Sequence, residues 1–483
     1  MDSGMFAQTL AARFADCKQP QHAADALADL FRWTFANETR AAILQHALQR
    51  HLLEKTLAHA HITTPFYQKP VYQESLAFEN NAPPDLRCWP VITRADLVVD
   101  PDAFLAKDAT FGSVSHTSGC TGPSLSVYKS KAELQFLWDY HLRLMKPVVS
   151  ALTSRPLVLS MPNLYHGTPV RVPSIGKVFV TGVTDDLLLH DTASLLNRRF
   201  SIPGHDECFS IISGLGYQML FFTNFLLEQG IDPASFEIKS INIVGGYISE
   251  RGREYLADAW GAIIFDRFSL TESAGGATRC HKCGYFHLDP HVIGEVLDAD
   301  GQPITSGVGR LVLTQLYPFI QMQPLIRYDT GDLVRLIDSD CHHFMTFEFA
   351  GKASNSVVWV RNGRTSWPLL SVDLYEAISD IPDIRRFEQF SNVRSVTDTS
   401  VGSLPIFTVK PEGKDPLTIT ITFELRYAST FYPKRVDELR RAIVAELLAA
   451  RPELTDVYQS EGVVFDIQFV GPGKLGDAHV LKI

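Results

Sequence analysis

The run Ser115-His116-Thr117-Ser118-Gly119-Cys120-Thr121-Gly122-Pro123-Ser124 interleaves hydroxyls with glycines, and apolar Leu125 and Val127 follow it. Glycines let the backbone turn its N–H groups toward an anion, and hydroxyls add donors without bulk. Such a loop could hold a triphosphate without a Walker lysine. It contains no G-x-x-x-x-G-K-[ST], so a P-loop fold is not supported. The same composition also suits a solvent-exposed turn. A second run, Asp266-Arg267-Phe268-Ser269-Leu270-Thr271-Glu272-Ser273, follows the apolar stretch Ile263 to Phe265. At a strand's end Thr271 can donate to a phosphate and Glu272 can hold Mg²⁺. The alternative is a helix N-cap at Ser269 or Thr271. The third run is Arg327-Tyr328-Asp329-Thr330-Gly331-Asp332-Leu333. A tight turn there places the Asp332 carboxylate where two vicinal ribose hydroxyls could bind it. A lone Thr-Gly-Asp is equally an ordinary hairpin turn.

The run Cys280-His281-Lys282-Cys283-Gly284-Tyr285-Phe286-His287 suits a different chemistry. Cys-x₂-Cys bends the chain so that two thiolates face one cation, and His287 is close enough to add an imidazole. Tetrahedral Zn²⁺ takes four such ligands, and Cys341, beside His342 and His343, is the best fourth candidate. Four protein ligands would leave no open position, so the metal would be structural. A redox dithiol or two unconnected thiols are the alternatives, the first disfavoured because no thioredoxin-like context surrounds the pair. Cys120 could be reactive and His166 could line a pocket; Cys17, Cys88 and Cys208 read as ordinary thiols.

These runs must be positioned by regular elements. Residues 5 to 60 show helical periodicity, and Thr93-Arg94-Ala95-Asp96 opens another helix. From about residue 155 short apolar runs alternate with helical segments. Leu157 to Met161, Val178 to Val180, Ile241 to Val244, Ile263 to Phe265 and Leu311 to Leu313 read as strands. Gln218 to Gln229 and Ser249 to Trp260 read as helices. The stretch Ile211 to Leu227, broken by Ser213, Gln218, Thr223 and Asn224, reads as a buried core helix, too polar to span a membrane. Strand and helix alternation with short connections predicts an α/β domain with mixed or largely parallel sheets over residues 1–350. Beyond Gly351 a βαββαβ-like pattern predicts a small α+β domain over 351–483. Its strands are Val357 to Val360, Phe407 to Val409, Leu417 to Phe423 and Val463 to Val470, and its helices Leu370 to Ile378 and Val436 to Leu448.

Composition bounds the function classes. With 483 residues, 45% of them apolar, the chain has ordinary globular usage and can bury a large core. A net charge of −10 argues against a general nucleic-acid binder, although an anion site can be built from backbone N–H groups. Seven cysteines and an N-terminus without a signal pattern lead us to expect a reducing compartment, the cytoplasm, with no membrane association.

The three anion-directed runs, in this order and at these separations, resemble the core motifs of the adenylate-forming superfamily of acyl-CoA synthetases, adenylation domains and luciferase. Pro324-Leu325-Ile326-Arg327-Tyr328-Asp329-Thr330-Gly331-Asp332-Leu333 looks particularly like the phenylacetate-CoA ligase branch. So do Leu57-Ala58-His59-Ala60, Thr64-Pro65-Phe66-Tyr67 and Trp89-Pro90-Val91-Ile92-Thr93-Arg94-Ala95-Asp96-Leu97. The resemblance runs from about residue 50 to the C-terminus.

It implies a large N-terminal adenylate-forming domain and a mobile C-terminal lid with its hinge near Lys352 to Ser354. Ser118, Gly119, Thr121 and Gly122 would wrap the β- and γ-phosphates of ATP. Gly245-Gly246-Tyr247 would line adenine and the acyl pocket, and Phe268 stands where a Tyr usually packs by adenine. Thr271 would contact the α-phosphate, Glu272 would hold Mg²⁺, and Asp332 would bind the ribose. Lys474 resembles the lid's catalytic lysine, which bridges the substrate carboxylate and the α-phosphate. Some relatives in the phenylacetate-CoA ligase branch bind a structural zinc in the region of Cys280, Cys283 and His287. The implied activity is ATP-dependent, AMP-forming activation of a carboxylic acid, with CoA as the simplest acceptor.

The chain departs from this pattern at three places. The loop reads Thr121-Gly122-Pro123-Ser124 where Thr-Gly-Lys-Pro is usual, so one phosphate contact is missing. Phe268-Ser269 replaces a Tyr-Gly pair. Gly351-Lys352-Ala353-Ser354 replaces Gly-Arg followed by Asp, and Lys352 would meet the ribose as a point charge without the fork of Arg. Two alternatives stay open: an adenylating enzyme that passes its acyl group to a carrier protein or an amine, and a zinc-stapled scaffold of the same fold with impaired turnover.

Overall fold

The computed structural model describes residues 38–74, 85–117, 125–148, 151–153, 155–161, 177–339, 345–361, 364–387, 392–398, 400–460 and 462–475. A hairpin of β1 (Phe111–His116) and β2 (Ser126–Ser130) flanks the hydroxyl-rich loop, whose residues 118–124 lie outside the described residues. One 11-stranded sheet then organises the large unit. Its strands in chain order are β3 (Leu157–Met161), β4 (Lys177–Val180), β5 (Phe209–Gly214), β6 (Ser240–Val244), β7 (Ile263–Ser269), β8 (Gly276–Arg279), β9 (Phe286–Leu288), β10 (Val292–Leu297), β11 (Gly307–Gln315), β12 (Tyr328–Leu336) and β13 (Thr346–Lys352).

The sheet is mixed for a physical reason. Strands β4, β3, β5, β6 and β7 lie side by side in parallel, and their apolar cores need cover. Helices Asp186–Leu196, Gly216–Glu228 and Glu250–Trp260 provide it, packing Leu189, Phe221, Phe225, Leu256 and Trp260 against Leu159, Ile212 and Ile241. From β7 onward the order β7-β8-β9-β13-β12-β11-β10 is antiparallel. Among the described residues no helix is long and apolar enough to cross a membrane.

Three local expectations are corrected. The stretch Ile211 to Leu227 is not one helix: Ile211 and Ile212 lie in β5, and the helix begins at Gly216. β-branched Ile211 and Ile212 suit the sheet, and Gly214 with Gly216 breaks the run. Asp266 to Ser269 continue β7 and Gly276 begins β8, so the run is a strand and connection with no helix to cap. Thr330-Gly331-Asp332 is not a hairpin turn but a kink inside β12, with Gly331 at φ 71° and a register shift against β11 between Arg310 and Val312. A bulge re-aims side chains without ending the strand.

Past Lys352 a short 3₁₀ turn, Ala353–Asn355, leads into β14 (Val357–Arg361) and β15 (Arg364–Leu369). Short β16 (Arg386–Phe387) and β17 (Leu404–Pro405) pair with one another. A three-stranded sheet follows, β18 (Phe407–Glu412), β19 (Leu417–Glu424) and β20 (Val463–Val470), the last two parallel. Helix Pro433–Ala450 buries Val436, Leu439, Ile443 and Leu447, spaced three or four residues apart, against that sheet. Between β16 and β17 the chain reaches back over the large unit. Val393 and Val396 enter the core around Phe221, and Asp186 accepts from the backbone N–H of Arg394 and Ser395.

Candidate active site

The second and third anion-directed runs meet near the end of β7 and the bulge of β12. Gln315 fixes the turn after β7: its Nε2 donates to the Glu272 carbonyl at 2.9 Å and its Oε1 accepts from Ala274 N at 2.7 Å. This aims the buried Glu272 carboxylate across the sheet, where the Tyr328 hydroxyl donates to its Oε1 at 3.1 Å. Burial and the Glu272 charge push the Tyr328 phenol well up, so it remains a donor. Arg94 approaches the same carboxylate at 3.8 Å and donates to Thr117 Oγ1 at 2.8 Å. Thr117 closes the base of the hydroxyl-rich loop, accepting from Leu125 N on its side chain at 3.1 Å. Arg94 thus ties the loop's base to Glu272.

Asp332 lies on β12 directly after the bulge, its side chain 1% exposed. Lys352, its pairing partner on β13, forms an ion pair with it, and among the described residues its oxygens meet no other well-directed donor. Burial pushes the Asp332 carboxyl up, and Lys352 only partly offsets this. A buried carboxylate short of donors is costly to the free protein. Vicinal hydroxyls would satisfy it. Glu272 and Asp332 act on one another electrostatically, so the two carboxylates share one region.

An aromatic wall stands beside them. The Phe268 ring lies 5.9 Å from that of Phe349, which lies 6.0 Å from Tyr247. Gly245 and Gly246, at φ 77° and 72°, turn the chain from β6 into that tyrosine. The Tyr247 hydroxyl donates to Glu376 on helix Ser371–Ser379, so the wall touches the C-terminal unit. Asp266, at the head of its run, is instead tied to Arg253 at 3.1 Å, and burial pushes its carboxyl up despite that partner.

Thr271 is half-buried in the same turn as Glu272. Lys474 is not brought to it. Lys474 is exposed, on a loop whose flanking amides, Gly473 N and Leu475 N, donate to Glu424 at 2.6 and 2.9 Å. Ser118, Gly119, Thr121 and Gly122 lie outside the described residues, as do Cys120 and His166. Arg94 and Tyr328 stand in the motif runs without an assigned role, and Lys129 stands in none; their long-range contacts mark them.

The candidate metal cluster is a separate corner. Cys280, Cys283 and His287 present Sγ and ring nitrogen atoms all within 4.8 Å of one another. Cys283 Sγ lies 3.2 Å from His287 Nε2, and the Thr346 hydroxyl holds the other ring nitrogen at 3.0 Å. Two thiols and an oriented imidazole are the donor set zinc prefers. Cys341 lies outside the described residues, in the connection from β12 to β13; Met345, next described after it, accepts from Leu288 N beside His287.

No family model matches the chain, and no curated protein matches it. Solved structures do. An open conformation of 2-hydroxyisobutyryl-CoA ligase in complex with 2-HIB-AMP and CoA aligns at TM-score 0.62 and 14% identity, over 90% of this chain and 89% of that one. The same ligase in its postadenylation state with R3-HIB-AMP aligns at TM-score 0.57 and 15% identity, over 90% and 86%. In its thioesterification state with 2-HIB-AMP and CoA the values are 0.53 and 16%, over 91% and 89%. Over about nine tenths of its length the chain thus has a fold similar to that of 2-hydroxyisobutyryl-CoA ligase.

Proposed function

We propose that the chain is an ATP-dependent, AMP-forming ligase that activates a carboxylic acid as an acyl adenylate and passes the acyl group to a thiol, most simply that of CoA. The observation that carries this reading is the buried Asp332 carboxylate, which meets no well-directed donor other than Lys352 among the described residues, within electrostatic reach of Glu272.

The assignments follow from chemistry. Asp332 accepts from the ribose hydroxyls, and the Lys352 ammonium favours its charged form. Phe268 and Gly245-Gly246 border the base, and Ser118, Gly119, Thr121 and Gly122 enclose the outer phosphates. Thr271 donates to the α-phosphate. Glu272 fits Mg²⁺, being a hard oxygen donor whose Oε1 is held by Tyr328 and whose Oε2 has no donor among the described residues. The metal would screen the phosphates there. The acid's oxygen then bonds to the α-phosphorus as the bond to pyrophosphate breaks, and a cation must offset the approach of two anions. Lys474 is that cation, delivered by rotation of residues 351–483 about the hinge near Lys352 to Ser354. The left-handed φ of 106° at Gly351 suits a pivot only glycine tolerates, since a Cβ there would lie 1.9 Å from Ser371 Oγ. Cys280, Cys283 and His287 would hold a structural zinc, with Cys341 the fourth ligand expected from the sequence.

Acid-dependent exchange of pyrophosphate into ATP tests the reading, screened over aryl, fatty and short branched hydroxy acids. The expected result is exchange with at least one class, followed by AMP-coupled thioester formation when CoA is added. No exchange with any acid would leave the impaired scaffold. Exchange that CoA fails to discharge would point to a carrier-protein or amine acceptor.

A further inference from the structure

Lys474 can serve an acid and an α-phosphate only if the loop that carries it keeps one shape, and the sheet does not supply that shape. Strand β20 ends at Val470, and beyond it Pro472, Gly473 and Lys474 are exposed. Among the described residues, Gly471 to Leu475 make two hydrogen bonds, and one side chain receives both. Glu424 Oε1 accepts from Gly473 N at 2.6 Å, and its Oε2 accepts from Leu475 N at 2.9 Å. The carboxylate therefore spans the amides on either side of Lys474. Gly473, at φ 74°, turns the chain so that both amides face one anion.

Glu424 is the last residue of β19, in parallel register with Val470, and its side chain is fully buried. Arg385, just before β16, pairs with its Oε1 and supplies the counter-charge. A buried carboxylate is costly unless its acceptors are used, and here the loop uses both oxygens. An apolar residue at this strand end would leave Gly473 N and Leu475 N without acceptors. Glu424, Arg385 and the loop all belong to residues 351–483. The clamp thus moves with that unit and holds Lys474 in the same pose however the unit is turned.

We propose that Glu424 is the positioning residue of Lys474, its carboxylate fixing the loop that presents the ammonium to the attacking acid and the α-phosphate. The inference rests on the ligase reading above and adds to it what pre-organises the lysine. Removing the clamp leaves Lys474 its charge but not its place, and a misplacement of about 1 Å can cost about 100-fold in rate.

The test is a double-mutant cycle on the full chain with Lys474→Ala, Glu424→Gln and the two combined, using the acid of the screen above that exchanges fastest. Gln keeps the size but offers one oxygen, so one amide loses its acceptor. Should Gln fail to fold, Glu424→Asp carries the same cycle, because it keeps the charge and withdraws both oxygens by one methylene. Glu424→Gln should slow acid-dependent pyrophosphate exchange about 10- to 100-fold and leave thioester formation from preformed adenylate within about threefold. Deuterium uptake in the peptide covering Gly473 to Leu475 should quicken. With Lys474 already replaced, the same change should cost less than about threefold. Losses that multiply in the combined variant overturn the assignment, because Glu424 then acts independently of the lysine. So do equal losses in both half-reactions with a lower thermal midpoint, the mark of a merely structural ion. So does a Gln variant that exchanges as fast as the wild type. Exchange that survives Lys474→Ala ends this inference and leaves the ligase reading standing, whereas a wild type without exchange ends both.

Discussion

Asp332→Asn separates a binding carboxylate from a structural one. In the free protein Asp332 is buried and meets Lys352, and among the described residues no other well-directed donor reaches its oxygens. Its folded-state carboxyl is raised by burial. The stability it contributes is therefore present below the ordinary carboxylate range and lost as pH rises through the raised value. At neutral pH the charge is a cost to the free fold. Asn removes the charge, keeps the shape, and leaves Lys352, which is 31% exposed, to solvent. The thermal midpoint at pH 7 should hold or rise. Binding should fall. Two vicinal hydroxyls donating to a carboxylate make charge-assisted bonds of ~1.5–3 kcal/mol each, and Asn retains one acceptor. The net loss is one such bond, a rise of about 10- to 150-fold in the ATP dissociation constant. Titration with ATP and 2′-deoxyATP reads it: the wild type should discriminate between them by a similar factor, and the variant much less. A lowered midpoint with unchanged discrimination would refute the ribose assignment and leave Asp332 as the anchor of Lys352.

Lys474→Ala should depress acid-dependent pyrophosphate exchange far more than thioester formation from preformed acyl adenylate; equal losses in the two half-reactions would remove it from its role. Cys283→Ser should lower bound zinc, measured by chelator release or atomic spectrometry, and reduce thermal stability, whereas unchanged metal content would end the zinc assignment. The buried imidazoles of His141 and His291 are held down to about 3 and about 4, chiefly by burial. Their protons bind the unfolded chain near 6.5 but not the fold, so stability should fall as pH drops from there toward 4, by up to ~1.4 kcal/mol per pH unit for each. His291→Gln should flatten that slope in thermal melts between pH 7 and 4, and an unchanged slope would exclude His291 as its source.

Much of the fold was legible because its signals are local. The apolar runs of β3 and β6 and the amphipathic helices Glu250–Trp260 and Pro433–Ala450 announce themselves within their own windows. Elements whose neighbours decide them were not. Ile211 to Leu227 looked continuous because apolarity alone does not separate a buried strand from a buried helix. Thr330-Gly331-Asp332 looked like a turn because only the pairing of β11 with β12 reveals a bulge.

Sequence alone pointed to the groups that could act: the carboxylates of Glu272 and Asp332, and the thiols and imidazole of Cys280, Cys283 and His287, each in a run whose composition suits that chemistry. Tertiary structure decided what surrounds them. The Tyr328 hydroxyl on Glu272, the Arg94 bridge and the buried Lys129 join residues 56, 178 and 144 positions apart. Such contacts carry no periodicity, and only closure of the sheet brings them within hydrogen-bond and Coulomb range.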